Sequence, residues 1–212
     1  MSKLKKFTWL LGLIVLCIFA ILTWYKIHYS MDIAEPFTVT VPQAKYKLLI
    51  ATQGSAYKNA VLKGLISAAK KRKMSLEVID VSSLSTVDID EWSVIVIIHT
   101  WENWQPQANA LEFAQRHPNT DKILYLSTSG KGDLKIPNVD AITSASLLID
   151  VPKHVAEIVH RSDAILLASS NKYYNNLLKV FLCFSYLKRF CFKNDSTPML
   201  YQFYNSMALI NS

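Results

Sequence analysis

Residues 46–58 read YKLLIATQGSAYK, an apolar run that stops in a Thr, Gly and Ser segment before a helical pattern begins. A buried strand that leads through a short turn into a helix points several backbone N–H groups at one spot, and proteins bind phosphate in this way. The spacing of Thr52, Gly54 and Ser55 matches neither the Gly/Lys phosphate loop nor the three-glycine dinucleotide motif. It therefore predicts an anion site of a general kind after the first strand, with a plain strand-to-helix cap as the alternative.

Short β-branched runs then alternate with helical periodicity, which is the pattern of an α/β protein. The apolar run at residues 94–98 is typical of a strand that is buried on both faces of a parallel sheet. Right-handed crossovers then predict a doubly wound five-stranded parallel sheet with helices on both sides. The predicted strands are residues 48–51, 76–81, 94–99, 123–127 and 139–143.

Three helices are predicted between and after these strands. In the first, Lys58 falls with the other basic residues on the face away from the sheet, where it adds positive charge near the predicted anion site. The second covers residues 106–116, with Pro106 in its first turn. The third begins at Asp150 as its N-cap and ends the domain.

The composition excludes several classes of function. The net charge is +7, but the basic residues are scattered rather than interleaved with aromatic residues, so nucleic-acid binding is not predicted. The three cysteines have no metal-ligand spacing, and the histidines are too scattered to indicate a metal site. We find no Ser/His/Asp or paired-carboxylate arrangement, so no catalytic residue is assigned.

Residues 7–25 form an apolar stretch that as a helix would be roughly 28 Å long, enough to cross a hydrocarbon core. No small-x-small cleavage pattern follows it, which favours a retained single-pass anchor in the cell membrane that contacts lipid. Lys3, Lys5 and Lys6 precede the stretch and predict a cytoplasmic N-terminus, with the domain on the far side of the membrane.

Four segments are predicted from this organisation: an anchor at residues 1–30, a proline-punctuated tether at 31–45, the α/β domain at 46–167, and a C-terminal extension of uncertain order at 168–212. Within the extension, basic and aromatic side chains at residues 177–192 are compatible with an amphipathic helix at a membrane surface. A poorly ordered extension is the alternative.

Ligands of parallel α/β sheets bind beyond the carboxyl ends of the strands, so the loops after the first, third and fourth strands are expected to converge. Trp101 and Trp104 in the second of these loops predict a wall against a flat ring, or else a lid that packs on the sheet edge. The third loop, residues 127–133, could bring backbone amides to a polar ring edge or be a simple turn.

With these features, residues 46–167 resemble the flavodoxin-like family, in which the three loops bind the phosphate and the isoalloxazine of FMN. The resemblance implies phosphate binding at the first loop, aromatic stacking at the second and flavin contacts at the third. The cofactor-binding candidates are Thr52, Gln53, Gly54, Ser55, Ala56, Tyr57, Thr100, Trp101, Trp104, Thr128, Ser129, Gly130 and Gly132.

The resemblance implies a membrane-anchored protein that binds FMN, or a similar flat anionic cofactor, and passes electrons to a protein partner, either as a carrier or as an oxidoreductase. The alternative belongs to another class. In it the fold has no cofactor and serves as a protein-interaction module at the membrane, with Trp101 and Trp104 as anchors.

Overall fold

The structure is a computed structural model that describes residues 3–29 and 31–191. The chain divides into two units, Met1–Asp163 and Ala164–Ser212. The helices and strands of the described residues, in chain order, are α1 (Lys3–Tyr29), β1 (Asp32–Ile33), β2 (Phe37–Val39), β3 (Lys47–Gly54), α2 (Ala56–Lys71), β4 (Ser75–Asp80), β5 (Val94–Glu102), β6 (Gln105–Pro106), α3 (Ala108–Arg116), β7 (Ile123–Thr128), β8 (Ala141–Ser144) and α4 (Val151–Cys191).

Five strands form the predicted parallel sheet, in the order β4-β3-β5-β7-β8. Counted among themselves along the chain, these strands follow the order 2-1-3-4-5, which is the flavodoxin-like arrangement. The predicted fold class is therefore confirmed. Strand β2 adds an antiparallel partner to β4, while β1 and β6 pair with the ends of β3 and β5. We call the edge where the parallel strands end, at Gly54, Glu102, Thr128 and Ser144, the carboxyl edge.

Apolar residues cover both faces of the sheet, as the continuous runs in β5 and β7 require. On one face, Ala110 and Phe113 of α3 pack into a buried cluster with residues of β3, β5 and β7. On the other face, α2 approaches α4 so closely that a Cβ on Gly64 would lie 2.7 Å from Val155 Cγ2. Helices on both sides make this a doubly wound sandwich.

The segment predicted as a tether, residues 31–45, supplies β1 and β2 instead of standing apart from the sheet. Its backbone is held by side chains of β4: Ala34 N donates to Asp80 Oδ2 at 2.9 Å, and Val41 N donates to Ser75 Oγ at 3.0 Å. Pro36 and Pro42 both lie outside the paired residues, where a missing N–H costs no ladder hydrogen bond.

The run Phe7–Trp24 of α1 is long and apolar enough to cross a membrane, and all of its side chains are exposed. At the other end of the chain, the last predicted helix begins near Asp150 as expected and continues without a break to Cys191. Residues 177–191 are helical, but the side chains from residue 181 onward and all of residues 192–212 lie outside the described residues, so the membrane-surface role of this helix stays a prediction.

Candidate functional site

The segment predicted as a phosphate loop is the end of a strand followed by a helix cap. Strand β3 continues through Thr52 to Gly54, and only Ser55 separates it from α2. The Ser55 hydroxyl accepts a hydrogen bond from Lys58 N at 3.2 Å, which satisfies one free N–H of the first helical turn. The Thr52 side chain is fully buried. Ala56 is exposed as the first residue of the helix.

Strand β1 lies across the end of β3. It pairs Asp32 with Gly54 and Ile33 with Gln53. A Cβ on Gly54 would lie 2.7 Å from Asp32 Cβ, a distance that real side chains do not adopt. Position 54 therefore requires glycine because the backbone of β1 lies against it. This is the place where the sequence predicts a phosphate.

Lys58 is the central residue of the carboxyl edge. It is the third residue of α2, and its side chain is only 1% exposed. The ammonium group donates to Gln53 Oε1 at 3.0 Å, to Thr100 Oγ1, and to Met31 Sδ at 3.5 Å. Three ammonium protons thus meet three neutral acceptors, of which the thioether is the weakest.

No carboxylate pairs with the Lys58 ammonium among the described ion pairs. Burial lowers the pKa of Lys58 to about 8, and the more distant charges of Glu102 and Asp80 act in the opposite direction. A lysine in the first turn also lies at the positive end of the helix dipole, which disfavours its charge. Buried charges are normally paired, so this one marks a place where an anion would be stabilised.

Two threonines extend the hydrogen bonds of Lys58 across the sheet. The register pairs Thr100 with Thr128, and their hydroxyl oxygens are 3.0 Å apart. Thr128 Oγ1 donates its single proton to the His99 carbonyl at 3.1 Å. The Thr100 hydroxyl must then donate to Thr128, and it accepts from Lys58. The donors therefore run from the ammonium through Thr100 to Thr128 on β7, and the last one ends on the His99 carbonyl of β5.

Gln53 joins the same network from β3. Its side-chain oxygen accepts from the backbone N–H of Thr100 at 2.9 Å as well as from the Lys58 ammonium. The carboxyl ends of β3 and β5 are therefore joined by one amide side chain. Of the predicted site residues, Gln53, Thr100 and Thr128 are brought together, and Lys58 is the group that connects them.

His99 lies beside this network and is fully buried. Its Nε2 is 2.7 Å from the hydroxyl of Ser127, its register partner on β7. Burial, with the nearby charge of Lys58, lowers the pKa of His99 to about 4, so the ring is neutral at pH 7. Its buried Nδ1 makes no hydrogen bond of ordinary geometry with the described residues, and an interaction of the ring with the Thr100 backbone opposes the pKa shift.

The two predicted indoles are placed differently. Strand β5 turns back into β6 as a hairpin, and Asn103 and Trp104 at its tip both have positive φ angles, of 51° and 64°. Such a two-residue turn fits the twist of the strands, although a bulky residue rarely adopts this conformation. Trp104 is 79% exposed, whereas Trp101 packs against the cluster on the α3 face.

The third predicted loop is a compact turn held by Ser129. The Ser129 hydroxyl accepts from Gly132 N at 2.9 Å and Asp133 N at 3.3 Å. Gly132 has a φ of +73°, and a Cβ there would lie 2.5 Å from Ala145 N. Among the described residues, no atom lies within 4 Å of a Cβ built on Gly130, so its backbone is open at the carboxyl edge.

Tyr57 contacts α4 and takes no part in the described hydrogen bonds of Lys58. Its hydroxyl is 2.7 Å from His154 Nδ1 on α4, and burial raises its pKa while a hydrogen bond with Ser144 opposes the shift. Sequence reasoning thus included Tyr57 in the site and placed Lys58 on the outer face, whereas Lys58 is buried at the edge. The position of Lys58 in the first helical turn, directly after the strand, was the sequence feature that could have indicated its place in the site.

Comparison with protein-family models and with curated proteins gives no match. Among solved structures, three mutants of the flavo di-iron protein from Thermotoga maritima are similar to this chain. Each is 15% identical, and each match covers 57% of this chain and 36% of the other, with TM-scores of 0.42, 0.41 and 0.41. The chain thus spans 36% of the length of those proteins, and the flavodoxin-like assignment made above follows from its own strand order.

Proposed function

We propose that this protein is attached to a membrane by α1 and that its flavodoxin-like domain binds FMN, or a similar flat anionic cofactor, for electron transfer to a protein partner. The observation that carries the proposal is the buried ammonium of Lys58, whose acceptors in the described part of the chain are all neutral. It lies at the carboxyl edge, beside the switch point between β3 and β5, where doubly wound sheets bind their ligands.

The residues around Lys58 supply the groups that such a cofactor requires. Lys58 would neutralise the phosphate, and the side-chain amide of Gln53 beside it would orient one of the phosphate oxygens. The open backbone at Gly130 offers donors for a polar ring edge. Bound FMN would supply one- and two-electron transfer, which the chain's own side chains do not.

Binding at Lys58 would require one of its present partners to give way. Met31 is the natural one, because a thioether is a weak acceptor and its contact with the ammonium is the longest of the three, at 3.5 Å. Met31 directly precedes β1, which pairs with β3 through only two residues. Displacing this short segment would leave the five parallel strands intact.

The test is calorimetric titration of the full-length protein in detergent micelles with FMN and with riboflavin. We expect FMN to bind, and we expect Lys58→Met to weaken FMN by tenfold or more, about 1.4 kcal/mol, while sparing riboflavin, which has no phosphate. The exposed Lys63 lies on the same helix, so Lys63→Met is the matched control and should bind FMN as the wild type does. Equal losses for both lysine variants would contradict a specific phosphate contact.

Two observations favour a second function: β1 covers the backbone of Gly54, and the Trp104 side chain is exposed. In this alternative the domain holds no cofactor and binds a protein at the membrane, with Trp104 as the anchor. Trp101 would not contribute directly, since it packs against the core cluster. Absence of FMN binding at high micromolar concentration, in folded protein, would remove the first proposal and leave this one.

A further inference from the structure

Large apolar side chains are exposed mainly at one edge of the domain. Within residues 31–163, all of which the structure describes, six such side chains are exposed: Ile33, Phe37, Trp104, Leu147, Leu148 and Ile149. Five of them, all except Phe37, lie at the carboxyl edge, on three separate elements: β1, the β5–β6 hairpin and the turn after β8. Single exposed apolar residues are ordinary, but a concentration of this kind marks a contact surface.

The residues at this edge are of the type that enters the interfacial region of a bilayer. Trp104 stands at the tip of a hairpin with 79% of its surface exposed, and tryptophan is enriched at the level of lipid headgroups. Leu147, Leu148 and Ile149 are consecutive, and Ile149 is 85% exposed. Nothing about the packing of the domain requires three adjacent aliphatic side chains in water.

The short connection between α1 and β1 also keeps the carboxyl edge close to the end of α1. Helix α1 ends at Tyr29, and β1 begins at Asp32 on the carboxyl edge. Three Cα–Cα steps between these residues span about 11 Å at most. The five residues of α1 after Trp24 add about 8 Å. The carboxyl edge is therefore held within about 19 Å of the last residue of the apolar run.

We propose that the carboxyl edge lies against the same bilayer that holds α1, with Ile33, Trp104 and residues 147–149 in contact with lipid. The proposal rests on the membrane attachment stated under the proposed function, but not on FMN. Charged residues of both signs lie at the same edge, among them Glu102, Lys131 and Asp133. They restrict the contact to the headgroup region, because a deeper position would bury charge in hydrocarbon.

The test measures the depth of single labels in the full-length protein. Cys17, Cys183 and Cys191 are replaced by serine, and an environment-sensitive fluorophore is attached to a new cysteine at one position at a time. The protein is reconstituted at low density in phosphatidylcholine and phosphatidylglycerol vesicles, with or without nitroxide-labelled lipid. We expect labels at Ile33→Cys and Ile149→Cys to show blue-shifted emission and loss of intensity with the nitroxide lipid.

Two control positions make the outcomes distinct. Asp121 is exposed just before β7, at the opposite edge, so a label at Asp121→Cys should be neither shifted nor quenched. Ile14 lies in the apolar run of α1, and a label at Ile14→Cys should be quenched by nitroxides deep in the bilayer. If the Ile14 label is quenched while the Ile149 label behaves like the Asp121 label, the edge does not touch the membrane and only this proposal fails.

If the Ile14 label is not quenched, α1 is not inserted, and membrane attachment fails together with this proposal. A blue shift at position 149 that appears only at high protein density would indicate contact between two copies of the chain and would overturn the lipid contact. Replacing both exposed residues, as Trp104→Ser with Leu148→Ser, should reduce the quenching at position 149 without changing the far-ultraviolet circular dichroism.

Discussion

A Cβ on Gly54 would lie 2.7 Å from the Cβ of Asp32, so the two backbones are closer than any other residue at position 54 would allow. Gly54→Ala should therefore displace β1 and lower the free energy of unfolding by about 1–3 kcal/mol. Urea unfolding of the full-length protein in detergent measures this change. Gly130→Ala is the control, because no atom of the residues that the structure describes lies within 4 Å of its Cβ position. Equal stability of the two variants would show that β1 does not pack on Gly54.

The burial of Lys58 predicts that stability increases with pH above about 8. The pKa is lowered from 10.5 to about 8 in the folded chain, so between these values the unfolded chain binds more protons than the folded one. The free energy of unfolding should then rise through this window, by about 3 kcal/mol in total. Unfolding measured between pH 7 and pH 10.5 tests this. The rise in the free energy of unfolding should be smaller in Lys58→Met than in the wild type.

His99 predicts the corresponding loss of stability in acid. Its pKa is lowered from 6.5 to about 4, so the unfolded chain binds more protons between these values. The free energy of unfolding should fall by about 3 kcal/mol as the pH drops through this window. His99→Gln keeps a polar side chain but does not titrate. Its unfolding curves at pH 6.5 and pH 4 should differ less than those of the wild type, and an unchanged difference would exclude His99 as the cause.

The hydrogen bond between Tyr57 and His154 predicts a purely structural effect. Tyr57→Phe removes the hydroxyl and leaves a buried ring nitrogen of His154 without its partner, which should cost about 1–3 kcal/mol of stability. Thermal unfolding measures the cost, and Tyr46→Phe, at a partly exposed tyrosine, should change it little. FMN affinity should be the same in Tyr57→Phe and the wild type, since the Tyr57 hydroxyl bonds His154 and not the Lys58 ammonium.

Removal of the Met31 side chain should favour ligand binding. Met31→Ala takes away the weakest of the three Lys58 acceptors and opens one side of the ammonium. We expect tighter binding of FMN, and of inorganic phosphate as the smaller probe, by calorimetric titration. Ile33→Ala, on the adjacent strand but with an exposed side chain, is the control. Weaker binding in Met31→Ala would mean that the methionine supports the ligand instead of blocking it.

The sequence predicts the parallel sheet well because its signals are local. Residues 94–98 read as a buried strand from their composition alone, and the structure places them in β5, in the middle of the sheet. The extra length of β3, through Thr52 to Gly54, is not visible in the same way. Small polar residues favour a loop, and here a partner strand from residues 32–33 overrides that preference.

The candidate site was harder to predict because its chemistry depends on contacts between distant positions. Pro106 suggested a helix start, yet it pairs with Trp101 in the hairpin, and Gln107 caps α3 through its side-chain oxygen. A lysine in a helix reads as a solvated side chain by default. Only the positions of Met31, Gln53 and Thr100 around its ammonium show that Lys58 is enclosed.

The small number of residues between α1 and β1 also bears on how the domain responds to mechanical force. A pull along the chain between helix and domain acts first on the two residue pairs that join β1 to β3, because no longer ladder precedes them. Their rupture would carry Met31 away from the Lys58 ammonium and leave the longer parallel ladder between β3 and β5 unloaded. Tension on α1 would thus uncover the buried charge before it unfolds the sheet.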